Sequence, residues 1–487
     1  MTSPPPTTRA RGIIVTLALA GIVASVMQTL VVPLLTELPR ILGTSSSNAS
    51  WVVTATLLTG AVFGPVGGRL GDMYGKRRML LVCCAPLIIG SVVCALSSSV
   101  VPMIAGRGLQ GIGMGVVPLG ISLLRDVMPV AKLGSSIALI SASLGIGGGL
   151  GLPIAAGVAQ YASWRALFWG AAALALVVTA MIWFLVPETP AGAEGQRFDF
   201  VGAVGLGGGL VCLLVAVSKG ADWGWGSGTT LGLFTASAVL LLSWGYWELR
   251  TRDPLVDLRT AAQPRILLTN TASVLVGFGM YAQSLITPRL LQLPESTGYG
   301  LGQSMLAMGL WMAPAGVMMM LISPMGGKLT AAFGPKVTLV VGALVISAGY
   351  ALSPALMGST WGLLIVALVV SCGVGLAYGA MPALIMSAVP TSGTASANSF
   401  NALMRSLGTS FAAAVIGVVL AQMTTTTVGF TIPSEARLRT GMMIGCGVAL
   451  LAAAVAAVIP TGRGPATAAG EERPEPAAAS EAPASAT

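Results

Sequence analysis

Long apolar runs that are almost free of charge follow one another along nearly the whole of this chain. A helix needs roughly 20 predominantly apolar residues to cross the hydrocarbon core of a bilayer. Of the 487 residues, 55% are hydrophobic and 8% are charged, which is more apolar surface than a soluble domain could bury. The sequence therefore predicts an all-α polytopic membrane protein with 14 transmembrane helices. The predicted spans are residues 13–36, 51–70, 79–98, 101–124, 135–158, 166–186, 200–219, 229–248, 266–288, 303–325, 337–357, 361–387, 400–423 and 440–460.

The basic residues predict the orientation of these spans. An even number of spans places both termini on the same side of the membrane. With the termini in the cytoplasm, the predicted cytoplasmic segments hold 18 of the 25 basic residues, Arg405 among them, and the outer segments hold six. Because positive residues are enriched in cytoplasmic loops, we expect a multi-pass protein of the plasma membrane with both termini cytoplasmic. The same rule explains the net charge of +9 without a nucleic-acid partner.

A short sequence repeat predicts two parallel halves. Residues 65–70 (PVGGRL) return as residues 324–329 (PMGGKL). Both copies end a span on the same side of the membrane, which indicates two parallel six-helix pseudo-repeats, and their separation leaves room for two inserted central helices. The predicted divisions are a cytoplasmic N-terminus at 1–12, an N-terminal six-helix bundle at 13–190, two inserted linker helices at 191–260, a C-terminal six-helix bundle at 261–460 and a disordered cytoplasmic tail at 461–487.

Missing residue patterns narrow the class of function. The chain has no histidine, and its six cysteines all lie in apolar runs without paired spacing, so neither a metal site nor a disulfide framework is expected. A phosphate-binding glycine-rich loop is missing too, which argues against an ATP-driven pump. No nucleophile, base and acid can be grouped, and the chain is therefore expected neither to be an enzyme nor to carry a cofactor.

One short turn, from Gly68 to Arg78, holds a dense group of charges in this weakly charged chain. An ordinary cytoplasmic loop would explain its three consecutive basic residues. It would explain neither the acid Asp72 nor the glycines, which permit close approach of neighbouring backbones. We expect the turn to latch the ends of helices in one conformation and to release them in another. The gate residues are Gly68, Leu70, Gly71, Asp72, Gly75, Lys76 and Arg77.

This turn resembles the signature loop of the major facilitator superfamily, G-x-L-x-D-x-x-G-[RK]-[RK]. Residues 107–113 look like the fourth-helix motif of that family, and Gly148, Pro153 and Gly157 resemble the fifth-helix motif of its antiporters. Together the motifs are similar to the fourteen-span drug/proton antiporter branch. The resemblance implies that two six-helix bundles rock around a central cavity, with protons as the coupling ion.

Arg107 is a charged residue expected inside a span. It lies about seven residues into the fourth span, roughly 10 Å from the outer end, where an arginine costs about 2.5–3.5 kcal/mol. Either the side chain snorkels to the surface or it faces the interior, and for the second case the resemblance implies a proton-relay or substrate-coordinating role. The corresponding residue in the second half is Ser371, so we expect this charge in one half only.

The first span lacks the aspartate that is usual in the branch that this chain resembles. We therefore expect another acid to couple protons, either Glu37 at the outer end of the first span, paired with Arg107, or Asp126 at the cytoplasmic gate. Glu37 could instead form an ordinary interfacial pair with Arg40. Gln28 is expected to be a neutral hydrogen-bonding partner of Arg107 or of the substrate.

Several uncharged residues in the spans are candidates for the lining of the cavity. Met308, Trp311 and Met312 form a stripe on one face of a predicted helix. Methionine and tryptophan suit an adaptable apolar cavity, although packing or lipid contact also explains this stripe. Uncharged polar side chains could contact substrate or bond neighbouring helices. The candidates are Gln110, Asn270, Gln283, Met308, Trp311 and Met312.

The whole pattern predicts a secondary active transporter that exports amphipathic organic compounds, such as drugs or antibiotics, by alternating access and proton coupling. Two alternatives stay open. The missing mid-membrane acids would suit a transporter of a specific anionic metabolite with Arg107 as the counter-ion of the substrate. A membrane receptor that has lost transport is the other, and the complete gate pattern argues against it. The expected partners are a small-molecule substrate, protons and the lipid bilayer, and a monomer is expected.

Overall fold

The computed structural model describes residues 7–31, 34, 37–189, 195–421, 424–427 and 430–460. Within these residues the chain is helical apart from turns and one short hairpin, which confirms the predicted fold class. The predicted disordered tail at 461–487 lies outside them. The elements are α1 (Thr7–Thr29), α2 (Leu38–Ile41), α3 (Ser46–Tyr74), α4 (Lys76–Leu96), α5 (Val100–Ile112), α6 (Val116–Val127), α7 (Val130–Tyr161), α8 (Arg165–Leu185), α9 (Phe200–Trp223), α10 (Gly228–Arg250), α11 (Leu258–Ala261), α12 (Pro264–Gln292), α13 (Met305–Phe333), α14 (Pro335–Leu356), α15 (Thr360–Met386), α16 (Thr394–Ala421), β1 (Thr424–Thr427), β2 (Phe430–Pro433) and α17 (Glu435–Ala457).

Each predicted span corresponds to a long helix of the structure. α5 and α6 form one span, because the 3-10 turn Gly113–Gly115 joins them without a loop. In the described part of the chain, 13 spans are long and apolar enough to cross a membrane. The other long helix is α12, which has 29 residues and is less apolar. It packs against α15, α16 and α17, and its polar residues Ser273 and Thr287 are buried.

Several helix boundaries differ from the prediction, and two of these differences change the placement of Glu37 and Arg405. α1 ends at Thr29 instead of residue 36, and Glu37 therefore lies outside the first span, next to the short helix α2. α16 begins at Thr394 instead of residue 400, so Arg405 lies well inside this helix. The helix starts earlier because Asp72 accepts hydrogen bonds from N–H groups of its first turn.

Each half has its own apolar core, although Met386 of α15 and Ala395 of α16 also join the core of the first half. Buried residues of α1 and α3–α8 form one cluster, in which Leu80, Ile140 and Phe168 are inaccessible to solvent. Buried residues of α12–α17 form another, around Ile346 and Val366. Six spans contribute to each core, as expected for two six-helix pseudo-repeats.

The two inserted helices lie beside the interface between the halves. α9 packs against α10, against α3 of the first half and against α16 of the second. Leu206 and Leu210 of α9 share an apolar cluster with Ala61 of α3 and Leu403 of α16. The inserted pair therefore covers one side of this interface.

Glycines bring α7 and α13 together on the interface between the halves. A Cβ at Gly149 would lie 2.8 Å from the Cα of Gly316, which is too close for a side-chain carbon. Further along, a Cβ at Gly309 would lie 3.0 Å from the Cα of Pro153. Small residues permit this close backbone approach between membrane helices. The two halves are therefore in direct backbone contact along this pair of helices.

Candidate functional site

Asp72 joins the two halves at the end of the bundle that carries the turn Gly68–Arg78, here called the gate end. It lies in the last turn of α3, with an exposed fraction of 1%. Its carboxylate accepts hydrogen bonds from the backbone N–H groups of Ala395 (3.1 Å) and Ser396 (2.8 Å). Both belong to the first turn of α16, where N–H groups lack helical partners and the helix dipole favours negative charge. Asp72 thus caps a helix of the other half.

Lys76 adds a second contact between the halves at the gate end. Its buried Nζ lies 2.6 Å from Asp126 Oδ2 and donates to Thr394 Oγ1 at 3.0 Å. Nearby, Arg125 donates to the carbonyl oxygen of Val389 at 2.9 Å. Lys76 therefore links an acid of its own half to the first residue of α16, and polar contacts close the gate end in this conformation.

The glycines of the turn lie where helices approach each other. A Cβ at Gly68 would lie 2.7 Å from the Cβ of Ser399 on α16, and a Cβ at Gly71 would collide with the side chain of Leu119. Gly75 ends α3 and precedes α4 with a φ of 92°, a backbone conformation that favours glycine. A side chain at Gly68 would push α16 away from α3, whereas one at Gly71 would disturb packing against α6 within the first half.

The two remaining gate residues make contacts within their own half. Leu70 packs, partly buried, against the first core. Arg77 pairs with Glu188 at 3.0 Å and donates to the carbonyl oxygen of Trp183 at 2.6 Å. These residues fasten the turn to α8 and to the segment that follows it.

The residues that resemble the antiporter motif lie on α7. Gly148 approaches Ser25 of α1, Pro153 contacts α13, and the position of a Cβ at Gly157 lies 4.0 Å from Leu306 of α13. The ring of Pro153, inside the helix, removes one helical hydrogen bond. α7 therefore combines close packing between the halves with an interrupted hydrogen-bond ladder.

Arg107 is buried inside the first half, with an exposed fraction of 1%. Its Nη1 donates to the carbonyl oxygen of Met27 at 2.6 Å and to Gln110 Oε1 at 2.7 Å. Its Nε donates to the carbonyl oxygen of Val52 at 3.2 Å. Gln110 in turn donates to Ser91 Oγ at 2.8 Å. Arg107 does not snorkel, and this network fastens α1, α3, α4 and α5 to one another.

The expected pair between Glu37 and Arg107 is not formed. Glu37 instead pairs with Arg40 at 2.8 Å, and both side chains are exposed. The physical reason is the early end of α1, which takes the acid out of the span. Gln28 does not bind Arg107 either, because its Nε2 donates to Met114 Sδ at 3.2 Å.

Arg405 is a second arginine within a span, although it was counted among the predicted cytoplasmic residues. The position that corresponds to Arg107 is the uncharged Ser371 on α15. Its Nη1 donates to Asn401 Oδ1 at 2.7 Å, and its guanidinium carbon lies 5.0 Å from the centre of the Tyr378 ring. Asn401 donates to Asn270 Oδ1 at 2.8 Å and to Ser273 Oγ at 2.7 Å. Asn270, a predicted cavity residue, therefore bonds a neighbouring helix.

Four of the other cavity candidates pack within the second half, whereas Gln110 belongs to the Arg107 network of the first. Met308 is buried in the core of that half, and Trp311 and Met312 pack against it. The ring of Trp311 also meets Trp361 edge to face, with centres 5.0 Å apart. Gln283 is buried as well. These contacts favour a packing role for the methionine–tryptophan stripe.

Known proteins resemble the chain over most of its length. Residues 17–413 match the family model described as Major Facilitator Superfamily. An uncharacterised MFS-type transporter of Mycobacterium tuberculosis is 28% identical over 442 residues, which cover 88% of this chain and 62% of that protein. The tetracenomycin C resistance and export protein of Streptomyces glaucescens is 30% identical over 62% of this chain and 56% of that protein. The multidrug resistance protein Stp of Mycobacterium tuberculosis is 27% identical over 80% of this chain and 71% of that protein.

The chain spans 62% of the length of the first of these relatives. Two solved structures share its fold. The proton:xylose symporter XylE superposes with a TM-score of 0.64 at 14% identity, covering 93% of this chain and 96% of that chain. The human organic anion transporter MFSD10 superposes with a TM-score of 0.58 at 17% identity, covering 93% of this chain and 100% of that chain.

Proposed function

We propose that this chain, which belongs to the major facilitator superfamily, is a membrane transporter that exports amphipathic organic compounds, such as drugs or antibiotics, in exchange for protons. The observation that carries the proposal is the latch of Asp72 and Lys76, which joins the halves through a few polar contacts that can be made and broken. The relatives named for multidrug resistance and for antibiotic export support the substrate class.

The latch suits alternating access of a central site to the two sides of the membrane. We place the gate end in the cytoplasm because its turn is basic. Release of α16 by Asp72 would let the halves rock apart there, and a compound could enter from the cytoplasm or from the inner leaflet. Closure of the latch would then expose the compound to the outside.

Proton coupling requires an acid whose protonation changes the conformation. Asp72 and Asp126 fit this requirement. A proton on Asp72 would remove the negative charge that faces the start of α16, and a proton on Asp126 would weaken the ion pair with Lys76. Both changes favour an open gate, so proton binding and opening would be linked. Glu37 is exposed, away from the gate, and plays no part in this scheme.

The proposal can be tested in everted vesicles from a drug-sensitive host that expresses the full chain. A panel of amphipathic compounds would be offered to energised vesicles with and without a protonophore. We expect accumulation that collapses with the proton gradient and that Asp72→Asn abolishes. Ala331→Asn, at the corresponding position of the second half, is the matched control. Accumulation that persists without the gradient contradicts proton coupling, and no accumulation of any compound contradicts export.

A transporter of a specific anion with Arg107 as the counter-ion receives less support. Arg107 is 1% exposed, and acceptors of the protein already occupy its Nε and Nη1. A substrate would have to replace these partners. A receptor without transport activity also receives less support, because it would not need a gate made of reversible contacts between two halves.

A further inference from the structure

The second half holds a charged group that neither the latch nor the antiporter motif uses. Arg405 lies eleven residues beyond Thr394, the first residue of α16, which is about 16 Å along the helix axis. The hydrocarbon core of a bilayer is about 30 Å thick, so this arginine lies near the midplane. Charged side chains at such depth are rare and usually mark a substrate or ion pathway.

Arg405 has few partners in the protein. Of its five N–H donors, one on Nη1 is bound by Asn401 Oδ1 at 2.7 Å. Among the described residues, no carboxylate oxygen lies within 4.0 Å of its guanidinium. Its Nε and Nη2 bind no described residue, and neither atom is sealed inside the protein. The half-buried Arg405 thus has donors to offer, whereas Arg107 is enclosed.

Neighbouring side chains hold Arg405 in position. The ring of Tyr378 covers the guanidinium at 5.0 Å, a cation–π contact, and the Tyr378 hydroxyl donates to Met280 Sδ at 3.0 Å. Asn401 is fully buried and is itself held by Asn270 of α12. Residues of α12, α15 and α16 therefore orient the guanidinium. The edge formed by its Nε and Nη2 is positioned to bind a planar acceptor.

The acids in the described spans do not neutralise Arg405, because each is engaged elsewhere. An arginine without a counter-ion at the midplane attracts anions and repels cations. Asp72 is bound to the start of α16, Asp126 to Lys76, Asp222 to Lys219, Glu248 to the N–H of Val256 and Glu435 to Arg439.

We propose that Arg405 binds an anionic oxygen of the substrate, so that the exported compounds carry a carboxylate or an ionised phenol on an apolar body. This inference rests on the proposed export function and names the substrate class of its central site. The N–H groups on Nε and Nη2 match the two oxygens of a carboxylate. Asn401 and Tyr378 are positioning residues for Arg405. A cationic amphiphile would meet a positive charge that no acid in the described spans compensates.

Two dyes with the same xanthene body provide the test, because fluorescein is anionic and rhodamine 123 is cationic. Binding to the purified full-length protein in nanodiscs and accumulation in energised everted vesicles would be measured for the wild type, Arg405→Gln and Arg405→Lys. We expect Arg405→Gln to raise both the Kd and the KM for fluorescein at least about tenfold. Both constants for rhodamine 123 should stay unchanged or fall, because the variant removes a positive charge that repels a cation. Arg405→Lys keeps the charge but lacks the planar guanidinium, so its Kd and KM for fluorescein should lie between those of the wild type and of Arg405→Gln. Arg439→Gln, which removes a peripheral arginine paired with Glu435, should change neither dye.

The outcomes separate this inference from the export proposal. A wild-type protein that transports rhodamine 123 but neither binds nor transports fluorescein overturns the inference and leaves export standing. Fluorescein binding that depends on Arg405, without energised transport of either dye, supports the inference and contradicts export. An equal loss of both dyes in Arg405→Gln means that Arg405 serves the fold, which also overturns the inference. If that variant does not fold, the same comparison between the dyes in Arg405→Lys decides.

Discussion

Asp72→Asn is the smallest change that tests the latch. Asparagine keeps the size of the side chain and one carbonyl oxygen, but it loses the negative charge and one acceptor. Asp72 accepts one hydrogen bond from Ala395 and one from Ser396. Asparagine can therefore keep one of the two bonds, and that bond is no longer strengthened by charge.

The structure allows the size of the effect to be worked out. A hydrogen bond to a charged group contributes about 1.5–3 kcal/mol, and a negative charge at a helix N-terminus adds about 0.3–2 kcal/mol. Because Asp72 is 1% exposed, water screens neither contribution. The closed conformation should therefore lose about 2–5 kcal/mol. Such a loss shifts the ratio of closed to open molecules roughly 30-fold to several-thousand-fold.

Distances between spin labels across the gate end would measure this shift. Arg78 at the start of α4 and Thr391 before α16 are both exposed, and cysteines placed there in a background without the six native cysteines would carry the labels. We expect pulsed electron resonance to give a short distance in the wild type and a longer, broader distribution in Asp72→Asn. Energised efflux should fall to near background in the same variant.

Ala331→Asn is the matched control, since Ala331 is the exposed residue of the second half that corresponds to Asp72. It should leave both the distances and the efflux at wild-type values. If Asp72→Asn also leaves both unchanged, the contacts with α16 do not hold the gate, and the turn is only an orientation signal.

Three further substitutions test other parts of the structure. Lys76→Met should lower the free energy of unfolding of the purified protein by about 3 kcal/mol. This is the low end for a broken buried ion pair, because the Asp126 side chain is 21% exposed. Thermal unfolding in detergent would measure the loss, and adding Asp126→Asn should restore part of it. Gly149→Ala should lower the folded yield in size-exclusion chromatography, because its Cβ would collide with α13, whereas Gly170→Ala, with open space around it, should be neutral. Glu37→Gln should keep proton-driven efflux within about twofold of the wild type, because an exposed ion pair contributes about 0–1 kcal/mol; a large loss would reinstate Glu37 as the coupling acid.

The presence of the spans could be predicted from the sequence, whereas some of their ends could not. Apolar runs mark the spans because the thickness of the bilayer demands them. The end of a helix depends on caps, and the cap of α16 comes from Asp72, more than 300 residues earlier in the chain. The predicted span began five residues before Arg405, which was counted as cytoplasmic, whereas the early start of α16 places Arg405 eleven residues into the helix. The helical spacing of Asn398, Asn401 and Arg405 was an available signal of a polar face.

The hydrogen-bond partners of Arg107 could not be predicted from the sequence, for a different reason. Two of its three acceptors are backbone carbonyl oxygens, those of Met27 and Val52. Every residue has such an oxygen, so no residue pattern marks the one that will be used. The gate turn could be predicted, because close packing and capping there require glycines and an aspartate at fixed positions. These residue types are visible in the sequence.

The latch and the proposed anion site act on one helix. Ser396, which donates to Asp72, and Arg405 are nine residues apart on α16, or about 13 Å along the axis. α16 has no proline, so this segment moves as a rigid element. A tilt that carries Arg405 toward a bound anion also displaces the N–H groups that Asp72 holds. Arg107 cannot transmit such a movement, because its hydrogen-bond partners among the described residues all lie within its own half. An anion that prefers one conformation at Arg405 must therefore change the occupancy of the Asp72 contacts, and the gate must change the affinity for the anion by the same factor.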